Sequence, residues 1–115
     1  MKQLKFKFDL NSKVAIYVPS TKNVNEKIDN SIYEKRVLVE LSKIFGGATK
    51  TPAVGGWLCN NVELVVEDVS IVYSFCTTEQ LKTHFREVLQ ICQNLKKDLQ
   101  QEAITLEVNG QIAFI

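Results

Sequence analysis

At 115 residues, 45% apolar and 23% charged, the chain has the size and composition of an ordinary soluble domain that can bury a core without metals or disulfides. Lys+Arg 14 against Asp+Glu 13 leaves a formal net charge of +1, which excludes the strong basic field of a general nucleic-acid or anionic-membrane binder. Cys59, Cys76 and Cys92 are odd in number and fit no CxxC zinc or redox pattern, so they read as reduced structural thiols.

Residues 4–10 alternate cleanly, with Leu4, Phe6, Phe8 and Leu10 separated by Lys5, Lys7 and Asp9. That pattern predicts a half-buried strand, and its lysines suit a sheet edge. No signal-peptide apolar region follows these lysines and no apolar run is long enough to span a bilayer, so a cytoplasmic protein with no membrane partner is expected. Asn11-Ser12 supplies turn chemistry before a second strand at residues 14–18, which Pro19 ends because proline cannot donate to a ladder. A long polar loop, residues 20–27, leads to a helix starting near Asn30 or Ser31, where Ser31-x-x-Glu34 has capping-box spacing. Val37, Leu38, Leu41, Ile44 and Phe45 form its apolar stripe, and Gly46-Gly47 stops it.

Residues 54–76 read as a long hairpin turning at Asn60-Asn61, since asparagine tolerates positive φ. A bulge or bend is expected near Glu67-Asp68, after which Ile71, Tyr73 and Phe75 would face the helices. Thr77 or Thr78 caps a second helix with the stripe Leu81, Phe85, Val88, Cys92, Leu95 and Leu99. Residues 104–115 form a hairpin around Asn109-Gly110. The order β-α-β-β-α-β predicts one ferredoxin-like α+β domain over residues 1–115, a two-layer sandwich with an extra N-terminal strand and a C-terminal hairpin.

That order does not imply an activity. The lone histidine, His84, lies on the second helix, and no GxSxG, HExxH, Walker A or GxGxxG motif is present. Classical hydrolytic or metal chemistry therefore has little to work with, and neither a metal nor a cofactor is expected. Glu63, Glu67 and Asp68 cluster in sequence, but a solvated strand face accounts for them. An RNA-recognition role is disfavoured by the charge and by Tyr73 and Phe75 facing inward.

Two loops remain as ligand candidates. Ser20, Thr21, Lys22 and Asn23 offer hydroxyls, an amide and a cation just past the end of a strand, where small ligands often bind. Lys50, in the glycine-rich stretch between the first helix and the hairpin, could neutralise an anion. The sheet face opposite the helices, read as Ala15, Tyr17, Ser70, Val72, Ser74, Thr105 and Glu107, is small and sparsely charged. Such a face suits a second sheet packed on it, hence a homodimer.

The stretches Val18-Pro19-Ser20-Thr21, Phe45-Gly46-Gly47-Ala48-Thr49, Gly56-Trp57, Gln101-Glu102-Ala103 and Glu107-Val108-Asn109-Gly110 resemble those of a group of small uncharacterised bacterial or mobile-element proteins. The resemblance runs from about Val14 onward and implies no activity; it marks these loops as the family's distinctive surface. The leading expectation is a non-enzymatic interaction module, homodimeric through its open sheet face. The alternative is a pocket protein that binds an anionic small molecule such as a nucleotide through Ser20, Thr21, Lys22, Asn23 and Lys50. An enzyme using those same loop residues without a metal is a third reading.

Overall fold

The computed structural model describes residues 8–23 and 25–115. The main sheet is built from β1 (Ser12–Pro19), β4 (Thr49–Cys59), β5 (Glu63–Cys76), β6 (Thr105–Val108) and β7 (Gln111–Phe114). A second, two-stranded pairing joins β2 (Thr21–Lys22) to β3 (Glu26–Lys27), and the helices are α1 (Ser31–Phe45) and α2 (Thr78–Asp98). The five-stranded sheet is antiparallel throughout, in the order β4-β5-β1-β6-β7. The class is therefore α+β. The path from β1 through α1 to β4 passes over β5, and the path from β5 through α2 to β6 passes over β1.

β1 is central: it pairs with β5 on one side and β6 on the other, and Val14, Ala15, Ile16 and Val18 are fully buried while Tyr17 is half-buried. Val14, Ile16 and Val18 pack with Val72, Cys76 and Leu106 of the neighbouring strands against Val37, Leu41 and Phe45 of α1 and Val88, Ile91, Cys92 and Leu95 of α2. That cluster is the core and lies on one face of the sheet. The two helices are also tied at the surface by the Arg36–Asp98 ion pair at 2.8 Å.

Helix ends follow local chemistry with one exception. Thr77 accepts from the Gln80 N–H, and the Gln80 side chain accepts from the Thr77 N–H, a reciprocal cap that closes two orphan donors. Thr77→Ala is expected to cost about 1 kcal/mol and lower Tm by about 4 °C, read by calorimetry. At the end of α1, Gly46 adopts φ 93° and donates to the Ser42 carbonyl, which is a left-handed C-cap. The exception is the start of α1, where the capping box expected from Ser31 and Glu34 does not form. Asn30 precedes the helix without a side-chain cap, Ser31 instead donates to Asp29, and the Glu34 carboxylate accepts from the Ser70 hydroxyl and lies 3.3 Å from Lys50 Nζ. The tertiary partners Ser70 and Lys50 take the carboxylate that local spacing assigned to the helix end.

Both asparagine turns are as expected. Asn60 and Asn61 sit at φ 53° and 60° in a three-residue loop between the paired Cys59 and Glu63, and Asn109 and Gly110 at 50° and 85°, the twist a two-residue hairpin requires. The bulge expected near Glu67-Asp68 is absent, since β4 and β5 pair without interruption from Thr49↔Tyr73 to Cys59↔Glu63. That regularity corrects the facing of β5. Ser70, Val72, Ser74 and Cys76 are the buried, helix-facing residues, while Ile71, Tyr73 and Phe75 point to the open face. The open face is therefore aromatic rather than small, and the inward placement of Tyr73 and Phe75 used against RNA recognition does not hold. The strand expected over residues 4–10 falls largely outside the described residues, and Phe8, Asp9 and Leu10 are exposed and not in a strand.

Cys76 and Cys92 are buried, and burial pushes the Cys92 thiol up to about 12, whereas Cys59 is exposed beside the hairpin turn. A thiol reagent is expected to modify one cysteine rapidly in the folded protein and all three after denaturation; rapid loss of all three in the native state would contradict this burial.

Candidate functional site: a step in the sheet beside the end of β1

β1 stops at Pro19, paired with Val69, but β5 and β4 continue past it as a two-stranded arm to the turn at Asn60-Asn61. The sheet thus steps down in width at residues 67–70, and the step leaves hollows on both faces. On the helix side a cavity of about 360 Å³ is lined by Ser20, Asp29, Asn30, Pro52, Asp68 and Ser70, among others. Across the sheet a smaller one of about 210 Å³ is lined by Tyr17, Gly55, Trp57, Glu67, Gln101 and Thr105, among others. A third, of about 170 Å³, lies between them around Ser20, Thr21, Lys27 and Glu67. The first has the volume of a small-molecule pocket.

Each polar group at the step is held by a definite partner. The buried Thr21 hydroxyl donates to Glu67 Oε1 at 3.0 Å, and Gln101 Nε2 donates to the Thr21 carbonyl at 2.9 Å. Ser20 donates to the Asp68 carbonyl at 2.6 Å, and the Asn30 amide donates to the Pro19 carbonyl at 3.1 Å. These bonds fix the end of β1 to the start of α1 and to β5. On the open face the Tyr17 hydroxyl donates to Glu107 Oε1 at 3.2 Å, and burial, then the Glu107 carboxylate, raise the Tyr17 pKa above its ordinary 10.0. Tyr17 is thus a neutral donor across the physiological range. A pKa raised by folding gives stability that is complete below pH 10 and is lost as pH rises through the folded value. Tyr17→Phe is expected to remove that alkaline slope in denaturation titrations, and an unchanged slope would assign it elsewhere.

The lining is acidic and aromatic. Asp29 and Asp68 border the larger cavity, Glu67 borders the second with Tyr17 and Trp57, and no lysine or arginine lines either one. Carboxylates and ring faces both attract positive charge. Among the described residues no three His, Cys, Asp or Glu side chains are grouped to hold a metal ion.

Of the residues singled out from sequence, Ser20 lies at the larger cavity and the third, and Thr21 at the third. Lys22 pairs with Glu26 in the small β2-β3 hairpin, Asn23 adopts φ 52° and donates its N–H to the Leu99 carbonyl, and Lys50 is engaged with Glu34. None of these three lines the step. Sequence reasoning passed over Tyr17, Trp57, Asn30, Ser70 and Gln101 as site residues. Tyr17 and Trp57 were legible as large side chains near strand ends, and Glu67 as part of the acidic cluster. Gln101 carried no signal, because it reaches the step only through the return of the chain after α2.

No family model matches the chain, and no curated protein matches it. Solved structures do match its fold, and they belong to an enzyme class, the SAM lyases. A phage SAM lyase in complex with S-methyl-5'-thioadenosine superposes with a TM-score of 0.65 at 14% identity, over 96% of this chain and 95% of that one. A phage SAM lyase in the apo state gives 0.64 at 14% identity, over 99% and 95%. This overturns the expectation of a non-enzymatic interaction module, because the fold to which that expectation was attached is the fold of an enzyme in those structures. No helix among the described residues is long and apolar enough to cross a membrane.

Proposed function

We propose that this protein binds S-adenosylmethionine at the sheet step and cleaves it as a lyase, releasing S-methyl-5'-thioadenosine. The observation that carries the reading is the acidic, aromatic lining of the step in a fold matched along nearly its whole length by a SAM lyase. We read the path β1-α1-β4-β5-α2-β6 as the ferredoxin-like arrangement with β7 added outside β6.

The chemistry fits a site with few catalytic groups. A sulfonium already carries the positive charge that makes its thioether leave, so no general acid is required. Breaking the bond from sulfur to the four-carbon amino-acid fragment leaves the electron pair on sulfur. The fragment then completes its valence by closing its own carboxylate onto that carbon, or by giving up a proton from the neighbouring carbon to a carboxylate such as Glu67. Water takes no part. In this reading Trp57 offers a ring to the adenine, Glu67 and Tyr17 face the sulfonium, and Asn30, Ser20 and Ser70 hold polar atoms of the substrate on the helix side. The carboxylates select a cation, which replaces the expected anionic ligand with one that is nucleoside-like but positively charged.

The test is incubation with S-adenosylmethionine followed by mass spectrometry, alongside calorimetric titration with S-methyl-5'-thioadenosine. Release of the thioether faster than in protein-free buffer is expected. Consumption at the protein-free rate, with no heat from the thioether, would remove the reading; binding without turnover would leave a sequestering protein.

A further inference from the structure

α2 ends in a turn that decides where the next side chain goes. Gln100 takes the left-handed conformation at φ 52°. Its N–H donates to the Lys97 carbonyl at 3.2 Å, and the Gln101 N–H donates to the Lys96 carbonyl at 2.9 Å. Together these form the Schellman closure of a helix. The closure mounts Gln101 on the end of a 21-residue helix. From there its side chain crosses to β2, where Nε2 donates to the Thr21 carbonyl at 2.9 Å and to the Leu99 carbonyl at 3.2 Å. Both partners are carbonyls, so the nitrogen of the amide, not its oxygen, faces them. Gln101 borders the open-side cavity, but both of its amide hydrogens are used inside the protein and no side-chain donor is left for a ligand.

The segment it reaches cannot hold itself in place. β2 and β3 have two residues each and pair with each other, apart from the five-stranded sheet. A two-stranded hairpin is marginal in water even when longer. The end of α2 anchors this one at two points: the Asn23 N–H donates to the Leu99 carbonyl at 2.8 Å, and Gln101 takes the Thr21 carbonyl. Thr21 itself is buried, and its hydroxyl donates to Glu67 Oε1 at 3.0 Å. The contacts therefore run in series from the helix closure through Gln101 and Thr21 to Glu67. A group that binds by charge and geometry must be held within about 0.5 Å of its place by such supports. We infer that Gln101 is a positioning residue, which holds Thr21 against Glu67 and so sets the carboxylate that faces the sulfonium of the proposed substrate. Its effect on turnover rests on the proposed lyase activity; its hold on Thr21 does not.

Gln101→Met keeps the length of the side chain and removes both donors. It is compared in the full chain with Thr21→Val and with the double variant, circular dichroism showing all three folded. Gln101→Met should raise KM for S-adenosylmethionine about fivefold, the scale of one hydrogen bond, while kcat and the affinity for S-methyl-5'-thioadenosine stay within about twofold. The double variant should be no worse than Thr21→Val alone, because both changes break one series of contacts. Nuclear magnetic resonance gives a readout that needs no substrate. Cross-peaks between the Thr21 methyl and the Glu67 side chain should be present in the wild type and weakened in Gln101→Met, with the α2 amides unmoved. KM effects that add in the double variant, or equal weakening of substrate and thioether, would make Gln101 a direct contact or a general support and overturn the inference. A Thr21–Glu67 cross-peak of full strength in Gln101→Met would overturn it as well. If the wild type neither binds nor consumes S-adenosylmethionine, the proposed lyase activity falls, and the cross-peak alone decides what Gln101 holds.

Discussion

Glu67→Gln should lower kcat/KM for S-adenosylmethionine by about 10²-fold, the scale of losing a unit charge a few ångströms from the sulfonium in a partly screened site. KM should rise by at least as much as kcat/KM falls, leaving kcat unchanged or slightly higher. Positive charge on sulfur disappears as the bond breaks, so a carboxylate beside it holds the substrate more firmly than the transition state and is not itself the source of rate. The thioether product is neutral and supplies a control in the same site. Its affinity should change by only a few-fold in Glu67→Gln, whereas Trp57→Ala should weaken substrate and product alike, by the 1–3 kcal/mol typical of a base stacked on an aromatic ring. A Glu67→Gln variant with normal KM and a collapsed kcat would move the carboxylate from sulfur to the reacting carbon. Equal weakening of substrate and product would deny it any role in reading charge. Thr21→Val, which frees Glu67 from its 3.0 Å donor, should reproduce a smaller part of the same KM effect.

Ile16→Ala should be the most damaging single substitution in the core, costing about 3–4 kcal/mol. Ile16 is fully buried at the centre of β1, paired to Val72 on one side and Leu106 on the other, and packs in the cluster that includes both helices. Neighbours fixed by two ladders cannot collapse into the space it leaves. Domain stabilities are about 5–15 kcal/mol, so the variant should lose a large fraction of the total, with Tm lower by about 10–15 °C. Urea denaturation should show a lower midpoint at unchanged slope. Phe114→Ala, which removes a larger side chain that is 74% exposed, should stay within about 0.5 kcal/mol. If the two variants were equally stable, the core would not centre on β1.

Eliminating enzyme chemistry by motif has a physical limit. The motifs searched for serve reactions in which the protein must create a nucleophile or activate a leaving group. A sulfonium substrate brings its leaving group already activated, and its own carboxylate stands within ring-closing distance of the carbon. In the proposed reaction the protein would need only to bind, orient and balance charge, and residues such as Tyr17, Trp57 and Glu67 in those roles carry no fixed spacing. The proposed cation takes the place of the anionic ligand read from the sequence for a related reason. Lys22 and Lys50 look free in the sequence, yet Lys50 is engaged by Glu34 and Lys22, paired with Glu26, lines none of the three cavities.

By itself the sequence determined the elements whose signals are local. The 3.6-residue stripe of α2, its Thr77 cap, the glycine stop of α1 and the two asparagine turns are set by residues a few positions apart, and each is found where the periodicity puts it. Only the tertiary structure decided which way β5 faces, because strand alternation has two phases and pairing with β1 selects one: Ala15↔Tyr73 and Ile16↔Val72 send Tyr73 outward and Val72 into the core. The same pairing, ending at Pro19↔Val69 while β5 runs on, creates the step where Tyr17, Glu67 and Gln101 meet from three distant segments. No local pattern records where one strand outruns its neighbour, and the candidate site exists only because one does.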